Sequence, residues 1–217
     1  MSLGVVIAYR FVDPPLTPLM VIRVVEGMTA HRRVGVTKRW VDLDGVSPTL
    51  LRAVLAAEDA RFFRHHGVDL DALRRARTYN ARHRGRRRRG AGTITMQCAR
   101  NVFLWQGRSY VRKTLEIVLA PVLELAWGKR RILEVYVNVI EWGDGLYGVE
   151  AAAERYFGVS AARLDAPQSA LLAAALPDPR RSNPAAPSRY LAARAAIIGA
   201  RAERVRLEGL PARRTGQ

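Results

Sequence analysis

The sequence predicts a mainly α fold. After Ser47, apolar residues recur at helical spacing, with Leu51, Val54 and Leu55 on one stripe. Helix-start and helix-stop residues then punctuate the chain. Runs alternating apolar with polar residues are few. The length of 217 residues suits one domain, or one and a half, and is enough to bury a core.

The elements follow in chain order. Met1–Tyr9 is apolar up to Arg10 and far short of the roughly 20 apolar residues of a membrane span. Two readings stay open there: a short apolar strand or helix of the domain, or the last turns of an anchor helix. Residues 11–25 open as an extended Pro-rich stretch and continue as a short apolar segment. Residues 39–46 read as a loop or short strand. Ser47-Pro48 starts a helix, with serine as cap and proline in the first turn, running to about His65 before Gly67. A second helix is expected over 69–82, an Arg- and Gly-rich loop over 84–92, and a helix of mixed polarity over 93–105. Residues 109–127 form a long apolar helix in which Pro121 marks a potential kink. Lys129–Val139 is another helix and Asp144–Gly148 a turn. Helices over Val149–Phe157, Ala166–Leu176 and Ser188–Leu207 complete the chain.

Composition narrows the function classes. Hydrophobic residues make up 49% and charged residues 25%, which rules out a collagen-like or wholly disordered chain. The one cysteine, Cys98, rules out an internal disulfide framework and a multi-cysteine zinc site. Its place on a helix beside Ala99 favours packing over nucleophilic chemistry. The net charge is +17, and it is uneven. Residues 74–89 carry nine arginines and no acid. Residues 180–217 carry nine against Glu203 and Glu208, so the rest of the chain is close to neutral. Such basic surfaces meet polyanions: nucleic acid, anionic lipid head groups or phosphorylated substrates. A nucleic-acid-binding module is disfavoured, because no binding-fold signature occurs and aromatics do not interleave with the arginine run.

Candidate chemistry starts at Glu58, which falls seven residues after Leu51 on the apolar stripe. A carboxylate on a buried face is costly unless it is paired or lines a cleft. Burial raises its pKa, which suits a general acid or base. A structural ion pair with Arg52 or Arg61 is the equal alternative. Glu116 shares a helix face with Arg112 and Lys113, at i,i+4 and i,i+3 spacing. That is either a surface ion pair or a carboxylate held among cations beside an anionic substrate. Two carboxylates on separate helices fit glycosyl chemistry. Gly90-Ala-Gly-Thr93-Ile-Thr95-Met-Gln97-Cys-Ala-Arg100-Asn101 is a Gly-rich entry into a helix, either a plain turn or a phosphate-facing helix start. The four histidines show no metal-ligand spacing.

The order of these segments resembles the family 51 peptidoglycan glycosyltransferases. Glu58-Asp-Ala-Arg-Phe62-Phe-Arg-His65-His-Gly67 is similar to their first motif, and Gly90–Asn101 to their second. Arg112-Lys113-x-x-Glu116, Lys129–Asn138 and Ala151–Gly158 resemble the third, fourth and fifth. All five stand in family order over roughly residues 10–205. Phe103–Ser109 and Gly143–Glu150 are similar to the monofunctional branch, and no Ser-x-x-Lys transpeptidase motif follows.

The resemblance implies a lysozyme-like larger lobe and a smaller jaw lobe around a long cleft. It implies an anchor remnant over 1–10, a catalytic domain over 11–210 and a tail over 211–217. The implied substrates are lipid II as acceptor and the growing glycan strand as donor, on an anionic membrane surface. Other cell-wall synthases are implied partners, and nucleic acid is not one. Glu58 stands in the place of the general base and Glu116 in that of the second carboxylate, which assists at the diphosphate with or without a divalent cation such as Mg or Mn. No organic cofactor is implied. Thr93, Thr95, Gln97, Arg100, Asn101, Arg108, Arg112, Lys113 and Lys129 fall where the family binds substrate and diphosphate. Gly92 and Met96 depart from the usual Ser and Gln. Residues 2–9 resemble the stump of the family's anchor helix, which implies a single-pass protein of the bacterial inner membrane with a periplasmic catalytic domain. A lysozyme-like hydrolase would share the paired carboxylates but not the five motifs.

Overall fold

The computed structural model describes residues 3–31, 35–83, 90–107, 109–208 and 210. The fold is mainly α, as expected, and the lysozyme-like class holds. Among the described residues the chain forms α1 (Leu3–Phe11), α2 (Pro18–Thr29), α3 (Pro48–Glu58), α4 (Leu70–Arg82), α5 (Ile94–Phe103), α6 (Tyr110–Val139), α7 (Val149–Phe157), α8 (Ala166–Ala175) and α9 (Arg189–Ala202). A small sheet adds β1 (Thr37–Lys38), β2 (Glu141–Gly143) and β3 (Leu146–Tyr147) in the order β1-β3-β2. β3 runs parallel to β1 and antiparallel to β2, pairing Thr37 with Leu146 and Glu141 with Tyr147.

α5 packs along α6, α3 packs on α8 and α9, and α1 and α2 lie on α6 and α5 respectively. Leu50, Val54, Ile94, Leu123, Ile132, Leu133 and Trp142 sit in the core that joins these helices. Side chains cap several starts. Asp69 accepts from Ala72 N at 2.8 Å, Thr93 accepts from Met96 N at 3.1 Å, and Asp165 forms a capping box with Gln168. Ser47 starts α3 without a side-chain cap bond; its hydroxyl instead donates to Leu164 O at 2.7 Å.

Several expectations need correction. α3 stops at Glu58 rather than near His65, because Asp59 turns to φ −159° and a short 3-10 turn, Phe62–Arg64, follows. Phe62 is buried from that turn. Residues 18–29 are a helix, with Thr17 as cap and Pro18 in the first turn. The expected break between 127 and 129 occurs at Gly128 (φ 72°, ψ 166°), while Pro121 stays inside the helix. The segment read as the turn 144–148 is the tip and second strand of a hairpin. The Arg-rich residues 84–89 lie outside the described residues, as does the tail 211–217.

The anchor expectation is also corrected. α1 has nine residues, about 13 Å of helix against a hydrocarbon core of about 30 Å. Among the described residues, no helix is long and apolar enough to cross a membrane. α1 is instead docked on α6: Val6 is buried, and its carbonyl accepts from Trp127 Nε1 at 2.7 Å. Arg10 donates to Ala126 O at 2.6 Å, and the Tyr9 ring lies 6.0 Å from Phe103. A single-pass, inner-membrane placement built on residues 2–9 therefore loses its support.

Candidate active site

Three helices bring the candidate residues together. Glu58 is the last residue of α3, half-buried at the end of the stripe formed by buried Leu51, Val54 and Leu55. Neither arginine considered at first pairs with it: Arg61 reaches Asp71 at 2.9 Å and Asp69 at 3.5 Å. The partner of Glu58 comes from α5. Gln97 Nε2 donates to Glu58 Oε2 at 2.8 Å, and Gln97 Oε1 accepts from the Tyr136 hydroxyl at 3.3 Å. Gln97 and Arg100 are three residues apart on α5 and share a face.

The turn after Glu58 is fixed from below. Both carboxylate oxygens of Asp59 contact His65 Nε2 at 3.0 Å, and Oδ2 accepts from Ile94 N at 3.0 Å. The end of α3 is thus tied to the start of α5. Gly67 closes the loop onto α6. Its φ is +86°, and a Cβ there would lie 2.6 Å from the Ala120 carbonyl carbon, so glycine alone fits.

A cationic group continues from Glu58. Burial is the main force lowering the Arg100 pKa, with Tyr136 and Glu58 opposing it. Lys113 and Arg112 are likewise lowered, first by burial and then by neighbouring cations, Arg100 acting on both. Glu116 answers this charge. It is 2% exposed, pairs with Arg112 through Oε1, and lies 3.1 Å from Lys113 Nζ through Oε2. Within this i,i+3 and i,i+4 set Arg112 and Glu116 form a buried pair, with Lys113 half-exposed beside them. Burial, then the Glu58 charge, pushes the Tyr136 hydroxyl well above its ordinary value.

The other expected residues divide. Thr93 caps α5, and its hydroxyl donates to Gly67 O at 2.5 Å. Asn101 is buried, and its Oδ1 accepts from Arg100 Nε at 3.4 Å and Gln106 Nε2 at 3.5 Å. Thr95 and Lys129 turn to a third carboxylate, Glu124, at 2.6 and 2.7 Å, and Lys129 Nζ also lies 4.2 Å from the Phe62 ring centre. Arg108 lies outside the described residues. Reasoning from sequence missed Glu124 and assigned no role to Tyr136. Glu124 lies five residues before Lys129, and only the break at Gly128 lets the two meet.

The two departures differ in consequence. A Cβ on Gly92 would lie 3.7 Å from Lys113 Nζ, so a side chain there would face the cationic group. Met96 is 1% exposed, so the missing amide falls in the core. Cys98 is fully buried and burial pushes its thiol up, which fits packing.

The donor set does not fit a divalent cation. Glu116 spends its two oxygens on Arg112 and Lys113, with Arg100 nearby. No group of three His, Cys, Asp or Glu side chains converges among the described residues.

Residues 26–203 match the model of the transglycosylase family. A biosynthetic peptidoglycan transglycosylase of Caulobacter vibrioides is 53% identical over 205 residues, covering 94% of this chain and 86% of that protein. A protein of the same name from Rhodospirillum centenum is 50% identical, with 95% and 86% covered. One from Bdellovibrio bacteriovorus is 52% identical, with 89% and 76% covered.

Proposed function

Because the chain belongs to the transglycosylase family and is a peptidoglycan glycosyltransferase, we propose that the cleft between α3, α5 and α6 polymerises lipid II into β-1,4-linked glycan. The observation that carries this reading is the juxtaposition of Glu58 with a partly buried cationic group. Glu58 accepts the proton of the acceptor 4-hydroxyl. The freed oxygen attacks the anomeric carbon of the donor strand from the face opposite its leaving group, so the centre inverts. The bond to undecaprenyl diphosphate breaks, and the diphosphate departs with the electron pair.

Each residue then has a task. Gln97 orients Glu58 through the 2.8 Å bond and is itself oriented by Tyr136. Arg100, Arg112 and Lys113 supply three positive charges to the diphosphate, whose oxygens suit guanidinium forks. Burial strengthens each attraction by removing competing water. Glu116 is a positioning residue that holds Arg112 and Lys113 together despite their repulsion. No step is assigned to a metal ion, because these cations meet the leaving charge. The chain carries out glycan polymerisation without transpeptidation.

The lipid substrate brings the protein to a membrane surface. Tyr110 and Leu125 on α6 are 90% and 89% exposed, and Phe11 on α1 is 77% exposed, apolar surface that supports contact with the polyprenyl substrate or its lipid surroundings. The test is direct. Purified chain supplied with lipid II should yield polymer that a muramidase digests to disaccharide-peptide. Release of disaccharide-peptide without polymer would assign hydrolysis instead.

A further inference from the structure

A second basic site lies behind the turn that follows Glu58. A cavity of about 640 Å³ opens between the end of α3, the 3-10 turn and the end of α9. Arg64, Arg201, Arg204 and Arg206 line it, over a floor that includes Ala56 and the buried ring of Phe62. None of the residues assigned to the active site is among its lining residues.

Positive charge outnumbers negative in this cavity, where Arg61, Arg64, Arg201, Arg204 and Arg206 face Asp59 and Glu208. Arg61, a fifth arginine at the rim, is engaged by Asp69 and Asp71. Asp59, at the floor, is engaged by His65 and Ile94 N. Among the described residues, Arg64, Arg201, Arg204 and Arg206 form no ion pair, although Glu208 also lines the cavity. Like charges gathered around one concave space repel one another and focus a positive potential, even though the four side chains are exposed. Here a helix end and a short turn hold them around one volume.

We propose that this cavity binds a ligand carrying two or more phosphate charges. Guanidinium forks match phosphate oxygens in pairs, and the half-enclosed floor suits a compact phosphorylated group over an extended chain. The site goes beyond the polymerisation reading and stands or falls separately from it. A free oligophosphate and a phosphorylated lipid head group share this chemistry.

The experiment is titration calorimetry at low salt on the full chain, on Arg201→Gln/Arg204→Gln and on Arg100→Ala. Inorganic pyrophosphate is one probe, and vesicles of cardiolipin in phosphatidylcholine are the other. The double variant should lose about 10–100-fold in affinity for at least one probe, as expected for losing one or two charged hydrogen bonds. Arg100→Ala removes the active-site share of diphosphate binding, and the loss caused by Arg201→Gln/Arg204→Gln should be the same in that background, which separates the cavity from the active site even if the polymerisation reading fails. Loss with pyrophosphate identifies a free phosphate ligand, and loss with vesicles alone identifies a head group. Unchanged binding of both probes by the double variant overturns the proposal. Tighter binding of a polyglutamate peptide than of either probe overturns it as well.

Discussion

Replacing Glu116 with Gln keeps the side-chain shape and deletes one charge. Glu116 is 2% exposed, and its carboxylate faces Arg112, whose side chain is 10% exposed, and Lys113, whose side chain is 38% exposed. Removing one partner of a buried pair leaves a charge stranded and costs about 3–5 kcal/mol. Lys113 retains water, so the lower end, about 3 kcal/mol, is expected. For a chain of this length that is a fall in Tm of about 6–12 °C. Circular dichroism melts of Glu116→Gln and wild type provide the assay. Arg112→Met in the Glu116→Gln background should recover part of the loss, because it removes the stranded guanidinium. A Glu116→Gln variant melting within about 2 °C of wild type would refute the argument that this carboxylate neutralises the cationic group.

Three further outcomes are expected. Arg100→Ala should slow lipid II polymerisation by about 30–150-fold, the loss of about 2–3 kcal/mol from a charged hydrogen bond made in a buried site, with Tm little changed. Gly67→Ala should destabilise by about 3 kcal/mol, since φ +86° is costly for alanine and its Cβ would meet the Ala120–Pro121 backbone; chemical denaturation reads this out. Burial raises Tyr136, Tyr147 and Tyr156 above their ordinary 10.0, so the unfolded chain releases these protons first. Their contribution is therefore complete below pH 10 and declines above it, and Tyr136→Phe should show a shallower alkaline loss of stability in melts between pH 9 and 11.

The sequence revealed the helices whose ends carry their own chemistry. Val149–Phe157 emerged as expected because Gly148 and Gly158 both take positive φ, which fixes its limits. Asp165-Ala-Pro167 and Ser188 likewise marked the starts of α8 and α9. α2 was missed because Pro14 and Pro15 before it and Pro18 at its start read as extended chain, whereas Pro18 supplies the first turn behind the Thr17 cap. β2 and β3 were hidden by their brevity: strands of three and two residues have no period to detect. At the site, the five-motif order pointed to Glu58, Gln97, Arg100, Arg112, Lys113 and Glu116, side chains that lie near one another in the structure. The grouping of Thr95 and Lys129 around Glu124 was illegible, because it depends on the dihedral angles of Gly128. The reading of residues 2–9 as an anchor failed for a related reason. Apolar composition does not distinguish a helix bound for lipid from one that buries Val6 against Trp127.

The central claim is that Glu58 removes the acceptor proton. Glu58→Gln keeps the size of the side chain and can still bond Gln97, but it cannot take up that proton. Lipid II polymerisation and Tm should be measured on the same preparation. The account predicts a rate lower by about 10²–10⁴, the usual cost of removing a general base, with Tm unchanged or slightly raised because a partly buried charge is gone. A variant that melts early yet polymerises at close to the wild-type rate would make Glu58 a structural residue and contradict the mechanism.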